Sequence, residues 1–199
     1  MINITLIPSI KEHYKDQFEI CIDLRLITFI KKTFSKNAKI FFSIKKKIDL
    51  VILSGGNDLP YIKKSKKNII RDKLNHDALN YAKKNNIPIV GYCAGAQYLA
   101  SKYRSKISYT KHHVGYHKLF NQEKNIFNKI NFPKITNSYH NYKIQKLGKD
   151  LEAISIAPDN SIEFFMHKKK RIYGIMWHPE REKKIREFDI KLLKKISCI

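Results

Sequence analysis

Acidic residues are scarce in this sequence: 17 Asp and Glu stand against 40 Lys and Arg, leaving a formal charge of +23 on 199 residues. Long apolar runs are missing too. None approaches the roughly 20 residues that a helix needs to cross a bilayer, so no membrane partner is expected. The opening stretch MINITLIPSIKEHYK has no basic segment leading into an apolar one, so no secretory leader is expected either. Cysteine is sparse. Cys21, Cys93 and Cys198 lie far apart, are odd in number and form no CxxC pair, which argues against a disulfide framework and for a reducing, cytoplasmic setting. No RNA-recognition, zinc-finger or helix-turn-helix pattern is present. Neither a linker-like stretch nor an internal repeat divides the chain, so 1–199 reads as one domain.

What is present is 43% hydrophobic and 29% charged residues, the composition of a soluble globular protein. Lysines run from end to end, as in IKKTFSK, SIKKKID, YAKKNN and MHKKKR. That scatter suits a solvated surface better than a nucleic-acid stripe, and an anionic small-molecule substrate is the intermediate reading.

Hydrophobic spacing alternates strand with helix. Strands are predicted at 2–7, 39–44, 48–53 and 87–92, and helices at about 14–34, 68–84 and 94–103. The run IDLVIL stops at SGG and is nearly continuous, as in a strand buried on both faces of a parallel sheet. Ile69, Ile70, Leu74, Ala78, Leu79 and Ala82 form the expected buried stripe of the second helix. Weaker, hairpin-like strands follow at 108–120, 135–137, 151–157, 161–166 and 171–177, and a basic amphipathic helix at 181–196. This order predicts an α/β fold with a mainly parallel sheet and helices on both faces.

Cys93 lies in GYCAG, where a predicted strand meets a helix. A sharp turn there, with Gly91 and Gly95 leaving room for close backbone, would project the sulfur as in the G-x-S-x-G elbow, beside helix N–H groups that favour a thiolate. A buried core thiol fits the stretch equally well. YGIMWHPE offers a second feature: Glu180 lies two residues after His178 and can reach the far ring nitrogen, fixing its tautomer. A lone structural histidine is the competing reading. The third is SGG at Ser54–Gly56, an ordinary turn or a source of backbone N–H groups that, with the Ala94 N–H, form an oxyanion hole.

GYCAG followed by Gln97, SGG after a buried strand, and WHPE near the end together resemble the class I (triad-type) glutamine amidotransferase superfamily. LSGGNDLP, the Arg71–Asp72 pair, TNSYHNY and PDNSIEFF resemble its free-standing γ-glutamyl hydrolase branch. The resemblance implies a flavodoxin-like three-layer sandwich and a Cys93–His178–Glu180 triad with no metal or cofactor. It implies that the Gly56 and Ala94 amides hold the oxyanion. It also implies that Gly55, Gln97, Asn137, Ser138, Tyr139 and His140 bind the glutamyl group. Within the branch the chain is similar to the enzymes of phosphoramidate capsule modification, which release glutamate from a γ-glutamyl-CDP-amidate. A small-molecule γ-glutamyl substrate, as a nucleotide diphosphate conjugate, is the expected partner. The alternatives are a glutaminase subunit feeding ammonia to a synthetase, and a nucleic-acid-associated regulator. Ala94 departs from the branch, which often carries arginine there, and SKNAKIFFSI lacks its Gly-Pro pattern.

His112, His113, His117 and His140 match no zinc spacing and have no acidic residue near them in sequence. With Lys111, Lys118 and Arg104 they are expected to form a basic rim around the elbow. Cys21 is expected in a helical core stripe, Cys198 as inert, and Trp177 as packing the strand end.

Overall fold

Leu50–Leu53 is buried at every position, and a strand apolar on both faces has to lie inside a sheet covered on both sides. The computed structural model, which describes residues 1–45, 47–111, 114–121, 126–127 and 130–198, shows this. In chain order the elements are β1 (Ile2–Ile7), β2 (Ser9–Tyr14), β3 (Gln17–Cys21), α1 (Leu24–Phe34), β4 (Ala38–Phe41), β5 (Leu50–Leu53), α2 (Lys66–Lys84), β6 (Ile89–Tyr92) and α3 (Ala94–Lys102). Then follow β7 (Lys106–Tyr109), β8 (Val114–Lys118), β9 (Phe120–Asn121), β10 (Ile135–Tyr139), β11 (Tyr142–Lys146), β12 (Leu151–Ile156), β13 (Ile162–His167), β14 (Ile172–Ile175) and α4 (Glu187–Cys198).

The main sheet is ten-stranded, in the order β4-β1-β5-β6-β14-β13-β11-β7, with β12 on β13 and β9 on β12. From β4 to β14 all pairings are parallel. Beyond β14 they are antiparallel. Two short ribbons, β2–β3 and β8–β10, stand apart from it. Alternate residues of each central strand feed opposite cores. Leu50 and Ile52 join the apolar side chains of α1 and α4, whereas Val51 and Leu53 join those of α2 and α3. The result is the helix–sheet–helix sandwich expected of the alternating pattern.

Local signals set the helix starts. The Asp23 carboxylate accepts from Arg25 N at 2.9 Å and the Ser65 hydroxyl from Asn68 N at 3.3 Å, caps worth about 1 kcal/mol each. Helix α4 is fixed to the sheet end by the indole of Trp177, fully buried, which donates to Asp189 at 2.8 Å.

Several expectations are corrected. The predicted helix 14–34 begins only at Leu24; before it, β2 and β3 form a hairpin whose turn is closed by Asp16 at φ 64°. Cys21 therefore ends a strand and is half-buried, not part of a helical core stripe. The final helix begins at Glu187, because Pro179–Arg181 makes a short tight turn instead. The buried face of α2 carries Asn68, Arg71 and Asn75 in its first half, with Ile69 48% exposed. Strand β11 has no counterpart among the strands expected from hydrophobic spacing.

Candidate active site

In a parallel sheet all strands end at the same edge, where ligands bind in open α/β folds. β5, β6 and β14 are direct neighbours in register, with Gly91 opposite both Leu53 and Gly174. The three segments singled out in the sequence follow these strands immediately, so topology alone sets Gly55, Cys93 and His178 side by side.

Cys93 has φ 49° and ψ −108°, a conformation that costs a non-glycine residue about 1–3 kcal/mol. Its backbone N–H donates to Ile175 O at 2.8 Å, and its carbonyl accepts the first helical bond, from Gln97 N at 2.9 Å. The bend demands glycine on either side. A Cβ on Gly91 would lie 2.3 Å from the Gly95 carbonyl carbon, and one on Gly95 2.4 Å from Leu53 O. Cys93 thus heads α3 as an elbow and is 7% exposed.

His178 Nδ1 lies 2.6 Å from Glu180 Oε1, both side chains 4% exposed. The pair forms across the Pro179 turn rather than along an extended segment. A Cβ on Gly55 would lie 3.0 Å from His178 Cε1 and 3.6 Å from Cys93 Cβ, which shows how closely the three approach. Burial opposes charge on His178, but the charge of Cys93, its hydrogen bond, and the Glu180 contact raise the imidazole to about 9. The arrangement holds an imidazolium between a sulfur and a carboxylate, ready to give up its Nε2 proton and, once neutral, to take one back.

The remaining candidates separate. Tyr139 stands edge-on to the His178 ring at 5.7 Å, with the Arg181 guanidinium 4.9 Å above its own ring. Gln97 is buried and donates to Tyr142 O at 2.8 Å. Asn137, fully buried, is committed to other partners: its Oδ1 accepts from His178 N at 2.9 Å, and its Nδ2 donates to His178 O and Glu182 Oε1, both at 2.8 Å. It braces the His178 segment instead of lining a pocket. Ser138 is fully buried beside it. Gly56 adopts φ +130°, with Ser9 2.6 Å from where a Cβ would sit, and Ala94 opens α3.

His117 and His140 do not join a basic rim. Both turn inward on the fully buried Glu163, at 3.4 and 3.6 Å, so an acidic partner does sit with them. His112 and His113 lie outside the described residues. Arg71 and Ser54 make a contact that hydrophobic spacing does not announce. The guanidinium of Arg71 is buried and donates to Ser54 O at 2.9 Å and Ser54 Oγ at 3.3 Å. The signals in the sequence are the Arg71–Asp72 pair and the polar interruption of an otherwise apolar stripe.

Among known proteins, a gamma-glutamyl-CDP-amidate hydrolase of Campylobacter jejuni is 41% identical over 150 residues, covering 75% of this chain and 71% of that one. The glutamine-hydrolyzing GMP synthase component of Methanococcus aeolicus is 33% identical over 138 residues, covering 68% of this chain and 66% of that one. A glutamine amidotransferase from Thermotoga maritima superposes with a TM-score of 0.66 at 16% identity, covering 98% of this chain and 83% of that one, and so shares the fold. The model of the family described as glutamine amidotransferase class-I matches residues 20–196, a span that takes in the elbow, the Gly-Gly loop and the His-Pro-Glu turn, and the chain belongs to this family.

Proposed function

We propose that the protein is a cysteine-dependent hydrolase that cleaves a γ-glutamyl C–N bond and releases L-glutamate, with γ-glutamyl-CDP-amidate as its substrate. The observation that carries the chemistry is the convergence of the strained Cys93, the Glu180-bound His178 and the Gly55–Gly56 turn. The substrate rests on the similarity to the Campylobacter jejuni protein of that name.

In the proposed reaction the Cys93 thiolate attacks the γ-carbonyl carbon, and the carbonyl oxygen takes up the electron pair as an oxyanion facing the Gly56 and Ala94 amides. Collapse of this intermediate breaks the C–N bond while His178 Nε2 protonates the departing nitrogen. Cytidine diphosphoramidate leaves, and a γ-glutamyl thioester remains on Cys93. His178, now neutral, takes a proton from water as it attacks the thioester. Glutamate departs and the thiolate–imidazolium pair is restored. Glu180 holds the ring and steadies its positive form throughout.

Glutamate release from γ-glutamyl-CDP-amidate and from glutamine, by wild type and by Cys93→Ala, tests the reading. Turnover of the amidate well above that of glutamine, lost in Cys93→Ala, is expected. Preference for glutamine, rising when a synthetase is added, would favour the alternative in which the chain feeds ammonia to a partner. Turnover that survives Cys93→Ala would overturn the mechanism.

A further inference from the structure

Arg71 is 4% exposed, and among the described residues no carboxylate pairs with it. An unpaired buried guanidinium is costly, and desolvation alone pushes its pKa down. Among the described residues its hydrogen bonds all go to one partner, Ser54. Nη2 donates to both the carbonyl and the hydroxyl of Ser54, while Nη1 has no partner among the described residues. Ser54 in turn donates its hydroxyl to Gly55 O at 3.1 Å.

This relay ends on a peptide with a particular freedom. The Gly55 carbonyl belongs to the Gly55–Gly56 peptide unit, and two glycines place little steric restraint on its rotation. A peptide unit is planar and trans, so its C=O and N–H point in opposite directions. Whatever holds the Gly55 carbonyl therefore aims the Gly56 N–H. Arg71 also lines the same small recess as Ala94, the other proposed donor.

We propose that Arg71 and Ser54 are positioning residues that lock the Gly55–Gly56 peptide with the Gly56 N–H presented to the oxyanion formed at Cys93. The inference rests on the hydrolase reading above. It separates two properties of the site: the reactivity of the sulfur, set by His178, and the stabilisation of the oxyanion, set by the locked peptide.

The test compares Ser54→Ala, Ser54→Thr, Arg71→Met and the Ser54→Ala/Arg71→Met double variant on γ-glutamyl-CDP-amidate. Alkylation of Cys93 by iodoacetamide is followed in parallel by mass spectrometry. Alkylation displaces iodide from carbon and forms no oxyanion. Expected are a kcat fall of about 10- to 100-fold in Arg71→Met and Ser54→Ala, KM within about twofold, and Cys93 alkylation within about twofold of wild type. The double variant should be little worse than Arg71→Met, and Ser54→Thr should recover most of the rate. If Arg71→Met does not fold, the two Ser54 variants carry the same comparison. Unchanged kcat in Ser54→Ala, or turnover and alkylation falling together, overturns the inference. A wild type that releases no glutamate, or a Cys93→Ala variant that matches it, overturns the hydrolase reading and the inference with it.

Discussion

Replacing Glu180 by Gln keeps the shape of the side chain against the His178 ring and removes its charge. The imidazole stands at about 9 where 6.5 is ordinary, which corresponds to roughly 3 kcal/mol in favour of the imidazolium. Burial acts against that charge, so Cys93 and Glu180 together supply more than the net figure. A short, charge-assisted bond such as the 2.6 Å Nδ1–Oε1 contact is worth about 1.5–3 kcal/mol. Its loss should bring the imidazole down by roughly one to two pH units. The sign follows directly: because the folded-state value is raised, the imidazolium persists through neutral pH and is lost as pH rises through about 9. The assay is the pH profile of kcat/KM. The basic limb of wild type should fall near pH 9, and that of Glu180→Gln about one to two units lower, with a rate at pH 8 reduced about 2- to 10-fold as the protonated fraction falls. Thermal melts provide a second readout. The stabilisation from His178 is complete below pH 6.5 and lost by about pH 9, so wild type should lose more stability across that window than Glu180→Gln. A basic limb that stays in place in Glu180→Gln refutes the assignment of His178 as the proton donor held charged by Glu180.

Two further substitutions test the scaffold around this pair. Gly95→Ala sets a methyl group 2.4 Å from Leu53 O, in contact with backbone that cannot yield. It should cost about 3 kcal/mol or more and lower the melting temperature by roughly ten degrees; a melt like that of wild type would show that the elbow can relax. Asn137→Ala leaves the buried His178 N–H and C=O without their amide partner. Calorimetry should show a loss of about 2–4 kcal/mol with a larger drop in kcat than in substrate binding. A rise in KM alone would instead return Asn137 to the substrate pocket.

Much of this architecture is legible in the sequence because its central strands are buried on both faces. LVIL, IVGY and IYGI leave uninterrupted apolar runs, and the segments that follow them carry the glycines, the cysteine and the histidine in plain view. What escapes is set by partners distant in the chain. Arg71 lies on the buried side of α2 because the loop after β5 offers it a carbonyl, and no periodicity encodes that. The hairpin of β2 and β3 is hidden because its turn uses Asp16 at positive φ without a glycine to mark it. Asn137 and His140 stand in a stretch that resembles a pocket wall, yet one is spent on the His178 backbone and the other on Glu163. Only tertiary contacts decide between these roles.

The order of the strands in the sheet has a consequence for the life of the nascent polypeptide. β6, which leads into the cysteine, is made long before β14, which leads to the histidine, although the two lie side by side in the finished sheet. While β14 is undocked, the cysteine at the end of β6 lacks both the Ile175 carbonyl that fixes its turn and the imidazole of His178 that stands beside it in the folded chain. An unfinished or unravelled chain therefore lacks the assembled site, which forms only as the last strand slots between β6 and β13. Completion of the sheet is in this sense the safety catch on the proposed nucleophile.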